Sequence, residues 1–200
     1  MMDNNEVNRT STGRSDLKIE YYEAEVTVEE YLPDCVDVPQ FLPYCQRCSN
    51  YNRIWSCPPY DFDPVDYWKK YRTLRVIGYK VFTPEDMRCR IYPPEDYQST
   101  VETLMLEPKK ELDRSLLELE KTIPGSRALS GGSCLYCEPA DCARIHGEPC
   151  RFPEKRRYSI ESLGGNVGLT VTRYLHQKLE WIENGRLPEY YMIVGGLLIP

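Results

Sequence analysis

Residues 74–82 read LRVIGYKVF, a run in which β-forming side chains recur at Leu74, Val76, Tyr79 and Val81. Such a pattern predicts a β-strand. Residues 17–28 (LKIEYYEAEVTV) alternate apolar and polar side chains, and residues 190–199 (YYMIVGGLLI) form a closing hydrophobic run. The chain is therefore expected to contain several strands.

Helical patterns lie between and beyond these strands. An Asp-Pro pair at residues 63–64 is typical of a helix N-cap and first position. Ser99 and Glu102 have capping-box spacing, and apolar residues continue at helical spacing past Pro108, which either kinks one long helix or begins a second. A further helix is expected over residues 169–182.

Strands mixed with helices, without a regular βαβ rhythm, predict an α+β fold. We expect a small mixed or antiparallel sheet with packed helices and two cysteine-rich metal-binding loop regions. Residues 1–16 are polar and predict a disordered tail. Residues 17–200 are expected to form a single cysteine-rich metal-binding domain.

The composition is that of an ordinary globular protein. Of the 200 residues, 41% are hydrophobic and 28% are charged, which is sufficient for a packed core. The net charge of −6 argues against nucleic acid as a partner. The N-terminus lacks the apolar segment of a secretory signal, and no apolar run approaches the ~20 residues of a membrane span, so we expect a cytoplasmic protein.

Nine cysteines are too few for a small disulfide scaffold but too many to treat as core filler. Seven of them form two groups, each beginning with a Cys-x2-Cys pair: Cys45, Cys48 and Cys57, then Cys134, Cys137, Cys142 and Cys150. Such a pair directs two thiolates at one ion or cluster, and thiols in a reducing compartment usually serve metal binding or catalysis. We therefore predict that all seven are metal ligands.

The second group has the spacing Cys-x2-Cys-x4-Cys-x7-Cys and can wrap one [4Fe-4S] cluster. Gly131 and Gly132 directly precede it and allow close backbone approach, so that amide N–H groups could reach cluster sulfurs. His146 could replace one thiolate, although four cysteines already suffice.

The first group has three clustered thiolates, and three interpretations of its fourth ligand stay open. Cys35 or Cys89 could complete the set after folding. Water, a substrate or another side chain could occupy an open iron, which would favour catalysis. Alternatively, the two groups could share one site.

Zinc is the competing metal. Four-cysteine zinc sites usually pair two Cys-x2-Cys units separated by ~15–20 residues, whereas these two pairs lie much farther apart and would leave other cysteines unassigned. Disulfides or buried free cysteines are a third possibility.

Other motifs identify no further cofactor and no catalytic residue. Gly164, Gly165 and Gly168 do not form a dinucleotide fingerprint, because the required βαβ context is missing. The basic residues within 151–157 could dock an acidic redox partner, or could form a solvated loop face that pairs with Glu154 and Glu161.

The joint order of the motifs resembles a known family. A stretch from Cys45 through CPP, then GGSCLYCEPADC, then PCRFPEKRRYSIES and a closing strand, is similar to an uncharacterised prokaryotic family of predicted metal-binding proteins over roughly residues 17–199. The resemblance implies metal binding by the cysteines and no particular reaction. It also implies a G-I-D-V stretch, where this chain carries Asn166 in place of the acidic residue.

The sequence thus predicts a metal-binding protein with one or two [4Fe-4S] clusters, acting in electron transfer or as a redox accessory protein with a redox protein partner. The alternative is a zinc-stabilised structural or interaction module without a redox role.

Overall fold

The structure, a computed structural model, describes residues 17–138 and 140–200 and centres on a four-stranded antiparallel sheet. Its strands, in the spatial order β1-β2-β4-β3, are β1 (Ile19–Thr27), β2 (Thr73–Phe82), β3 (Arg127–Leu129) and β4 (Tyr190–Ile199). The predicted α+β class is confirmed. The expected tail over residues 1–16 lies outside the described residues.

Six α-helices occur in the described residues: α1 (Val28–Cys35), α2 (Val38–Arg47), α3 (Pro64–Trp68), α4 (Glu85–Arg88), α5 (Tyr97–Thr122) and α6 (Val167–Tyr174). Short 3-10 turns cover Pro94–Asp96, Ala143–His146 and Glu161–Leu163. Within the described part of the chain, no helix is long and apolar enough to cross a membrane.

The predicted helix boundaries are confirmed in part. The Asp63 carboxylate accepts a hydrogen bond from the Val65 N–H (2.7 Å) and caps α3 as expected. Helix α5 runs unbroken through Pro108, and it begins two residues before Ser99, so the predicted capping box does not form. The helix predicted over 169–182 is wrong in its second half, because α6 ends at Tyr174.

Helices cover both faces of the sheet. On one face, Leu112 and Leu116 of α5 pack against Ile193 and Leu197 of β4. On the other face, a second core contains fully buried side chains from α1, α3 and β2, including Tyr31, Trp68 and Leu74. The central strands β2 and β4 are therefore largely apolar on both sides, which explains their long hydrophobic runs.

The junction between α1 and α2 is fixed to a segment far along the chain. The Asp37 N–H donates to the Gly164 carbonyl (2.9 Å), and the Asn166 N–H donates to the Cys35 carbonyl (2.7 Å). Gly164 has a φ of 82°, and a Cβ on it would lie 2.9 Å from the Val38 Cα. A side chain there would be strained and would clash, so glycine lets α2 pack directly on residues 161–164.

Candidate metal centre

The first cysteine group begins on α2 and continues into the loop that follows it. Cys45 lies in the last turn of α2, and the Cys48 N–H donates to the Cys45 carbonyl (3.0 Å) where the helix ends. Nine residues later, the Cys57 N–H donates to the Ile54 carbonyl (3.0 Å) and closes a tight turn. A helix end and a turn thus place the three cysteines.

Cys45, Cys48 and Cys57 line one cavity of about 220 Å³. The acidic residue in the wall of this cavity is Glu161, the first residue of the 3-10 turn against which α2 packs. The structure therefore brings the three cysteines together, as the sequence predicts, and adds a carboxylate. No spacing signal could have identified Glu161, which lies about 100 residues beyond Cys57.

Burial favours the neutral form of two thiols in this cavity, those of Cys45 and Cys57. Burial raises the pKa of Cys45, and it raises the pKa of Cys57 to about 12 although a hydrogen bond with the Ser56 hydroxyl opposes the shift. Only the thiolate binds a metal, so binding must release these protons. Metal affinity is therefore expected to rise with pH across the neutral range.

Glu161 is partly buried and lines two cavities. Burial raises the pKa of its carboxyl group, and hydrogen bonds with its own backbone N–H and with Ser159 partly oppose this. The second cavity, of about 190 Å³, shares Cys45 and Glu161 with the first and is otherwise lined largely by apolar side chains such as Leu42 and Phe62.

The second cysteine group occupies the loop between β3 and Ser159. The two ends of this loop lie next to each other, because Ser130 and Ser159 form a β-bridge. All four cysteines of this group are partly exposed: Cys134, Cys137, Cys142 and Cys150. Burial raises the pKa of Cys134 to about 11, opposed by the Tyr136 N–H, and the thiols of Cys150 and Cys137 are near enough to add to the shift.

Neither group forms a ready-made ligand sphere. Across residues 17–138 and 140–200, no three or more histidine, cysteine, aspartate or glutamate side chains are arranged to hold a metal ion. The ligand role of the seven cysteines therefore stays a prediction.

Hydrogen bonds join the two cysteine loops directly. The Cys134 N–H donates to the hydroxyl of Ser56 (3.0 Å), a fully buried residue directly before Cys57. The Trp55 indole N–H donates to the Glu148 carbonyl (2.9 Å). The two groups lie side by side, and Cys134 lines a separate, much smaller cavity of about 10 Å³.

The side chain of Arg144, in the second loop, binds backbone carbonyls of the first loop. Its guanidinium donates to the carbonyls of Ile54 (3.0 Å), Cys57 and Pro59 (2.6 Å), and it lies 5.0 Å from the centre of the Trp55 ring. One side chain thus fixes the turn that carries Cys57.

The remaining candidate ligands lie away from the three-cysteine cavity. Cys35 is 1% exposed within the core, and Cys89 is exposed at the end of α4, where its carbonyl accepts from Arg186 (3.3 Å). His146 is exposed at the end of a 3-10 turn. Neither lone cysteine lines the cavity that holds the first group.

The basic segment over 151–157 is used largely for structure. Arg157 is buried and binds Glu120 of α5 through two hydrogen bonds, Nε to Oε2 (2.7 Å) and Nη2 to Oε1 (2.6 Å). Arg156 donates to the Trp55 carbonyl (3.3 Å). Arg151 and Lys155 are the exposed cations of the segment.

Asn166, where the resemblance implies an acidic residue, is the N-cap of α6. Its side-chain oxygen accepts from the Leu169 N–H (2.9 Å). Asparagine and aspartate serve equally well at such a position, so the difference has a structural explanation.

Comparison with known families covers the part of the chain that carries both cysteine groups. A family model described as "Predicted metal-binding protein (DUF2284)" matches residues 34–199, a range that contains both cysteine groups. No curated protein and no solved structure matches the chain. The chain therefore belongs to the DUF2284 family of predicted metal-binding proteins.

Proposed function

We propose that this protein carries two iron-sulfur clusters and transfers electrons, with one cluster at each cysteine group. The observation that carries the proposal is the direct contact between the two cysteine loops, made where the Cys134 N–H donates to the Ser56 hydroxyl beside Cys57. Clusters bound at neighbouring loops would lie close enough for electrons to pass between them.

The cavity of the first group supports a cluster over a single ion. Its volume of about 220 Å³ leaves room for several atoms between the three cysteines. A lone zinc ion holds its thiolates at ~2.3 Å, a far smaller space. Several iron and sulfide ions fill such a cavity better, and soft thiolates suit them.

The second group supports a [4Fe-4S] cluster through its donor set and its backbone. Four cysteines on one loop satisfy all four irons. Gly132 has a φ of 94°, a conformation that turns successive peptide groups and lets amides face a bound anion. Hydrogen bonds of this kind tune cluster potentials.

An acidic redox protein is the proposed partner. Arg151 directly follows Cys150. Together with Lys155 it outnumbers the exposed acid of residues 151–157, Glu154, so this segment is locally basic in an acidic chain. Such a surface accelerates the encounter with an oppositely charged partner.

The test is anaerobic purification followed by a visible spectrum and by counts of iron, acid-labile sulfide and zinc. We expect a brown protein with about eight irons per chain, matched by sulfide. Cys137→Ser and Cys57→Ser should each lose about half of the iron, and Cys89→Ser, an exposed cysteine outside both groups, should lose none.

A colourless protein with zinc and no sulfide would instead identify the zinc-stabilised module. Equal iron content in Cys137→Ser, Cys57→Ser and Cys89→Ser would refute the assignment of ligands even if the protein were brown.

A further inference from the structure

We propose that Glu161 is the fourth ligand of the cluster at Cys45, Cys48 and Cys57, and that small ligands can replace it there. The inference rests on the proposed function, since it names a residue of the same site. It assigns this cluster three thiolates and one carboxylate.

Glu161 lies in the right place for such a role, because it lines the cavity of about 220 Å³ together with the three cysteines. The two cysteines outside the groups do not compete, because Cys35 is buried in the core and Cys89 lies at the end of α4.

Glu161 has no ion-pair partner among the lysines and arginines of the described residues. The nearby Lys109 favours its charge from a distance but is itself paired with Asp113 (2.7 Å). A metal bound in the cavity would give this partly buried carboxylate a direct cationic partner. The local arrangement therefore favours a cationic occupant of the cavity.

The fold holds Glu161 in a fixed position relative to Cys45. Glu161 begins a 3-10 turn that ends at Leu163 and is capped by Gly164, and Gly164 contacts Val38 at the start of α2. The same helix carries Cys45 in its last turn. The carboxylate and the first thiol are thus held by two elements in direct contact, so their separation is set by the fold.

Glu161 would be the most easily exchanged ligand of the set, because a carboxylate is a harder ligand than a thiolate and would suit iron in a sulfide cluster less well. The apolar cavity of about 190 Å³ is lined by both Cys45 and Glu161. A small molecule that entered this cavity would reach the carboxylate and could take its place as ligand.

The experiment measures exchange of cluster iron with isotopically labelled ferrous ion, on anaerobically loaded full-length chain, by mass spectrometry. Glu161→Cys supplies a fourth thiolate, and we expect about one fewer iron per chain to exchange than in the unsubstituted protein. Glu161→Gln keeps the shape but weakens the ligand, and we expect exchange at least several-fold faster. Glu154→Ala, an exposed glutamate in the same region, should match the unsubstituted protein.

The proposal is overturned if Glu161→Cys and Glu161→Gln both exchange iron at the unsubstituted rate while circular dichroism shows them folded. If Glu161→Cys does not fold, Glu161→Gln alone decides by the same comparison. A purified chain without iron and sulfide would instead refute the cluster itself, which separates failure of the proposed function from failure of this ligand.

Discussion

Replacing Arg144 with methionine should loosen the turn that carries Cys57. The side chain donates to three backbone carbonyls of the first loop, and methionine keeps the bulk but donates nothing. Hydrogen bonds from a charged donor contribute ~1.5–3 kcal/mol, but Arg144 is only half-buried and water can reach its acceptors. At about 1 kcal/mol for each bond, we expect a loss of about 3 kcal/mol in the free energy of unfolding.

For a chain of this size that loss corresponds to a fall in Tm of about 6–12 °C, measured by circular dichroism on metal-free, reduced protein. Hydrogen exchange at the Cys57 N–H should accelerate in the same variant, because its turn is released. Arg114→Met is the matched control: Arg114 is 64% exposed on α5 and, among the residues that the structure describes, forms its ion pair with Glu111, so its loss should stay within about 0.5 kcal/mol. A fall in Tm for Arg144→Met no larger than that of the control would refute the reasoning.

Three further predictions concern the scaffold. Burial alone would raise the pKa of Glu120, but hydrogen bonds from Arg157 and from a backbone N–H lower it. The ionised Glu120 carboxylate therefore stabilises the fold above about pH 4.5, and this stabilisation is lost as the pH falls. Glu120→Gln should therefore cost about 3 kcal/mol at pH 7 and progressively less in acid; a Tm difference that stays constant from pH 7 to pH 3 would contradict this. Gly195→Ala would place a Cβ 2.6 Å from a backbone carbonyl of β3, so urea titration should show a loss of about 2–3 kcal/mol, and an unchanged midpoint would show that the strands can separate freely. Tyr31→Phe removes the buried hydrogen bond to Thr170 (2.7 Å) and should cost about 1–2 kcal/mol by the same titration, whereas a gain in stability would mean that this bond is strained.

The strands were predictable because their patterns are strong and local. Residues 74–82 and 190–199 correspond closely to β2 and β4, which pair along their full length. Strand β3 has only three residues, too few to show an alternation of apolar and polar side chains. Helices α1 and α2 escaped prediction because each contains an internal proline, Pro33 and Pro43, which ordinarily argues against a helix.

Tertiary contacts decide the parts that the sequence left open. Helix α2 packs on residues 161–164, so contacts from the far end of the chain favour a helix that local propensity does not. The same contacts bring Glu161 to the cavity of the first cysteine group. Cysteine spacing identified both loops. Glu161 could not be identified in this way, because it reaches the cavity through tertiary contacts and not through its spacing from the cysteines.

The separation of Cys57 and Glu161 along the chain also governs when the cavity can exist. Ribosomes add ~5–20 residues each second, so about 100 residues take roughly 5–20 s to follow Cys57. During that interval the segment that carries Glu161 and completes the wall of the cavity has not yet been synthesised. Metal delivered during synthesis would meet an open, exchangeable trio of cysteines, and the completed chain would then close around it.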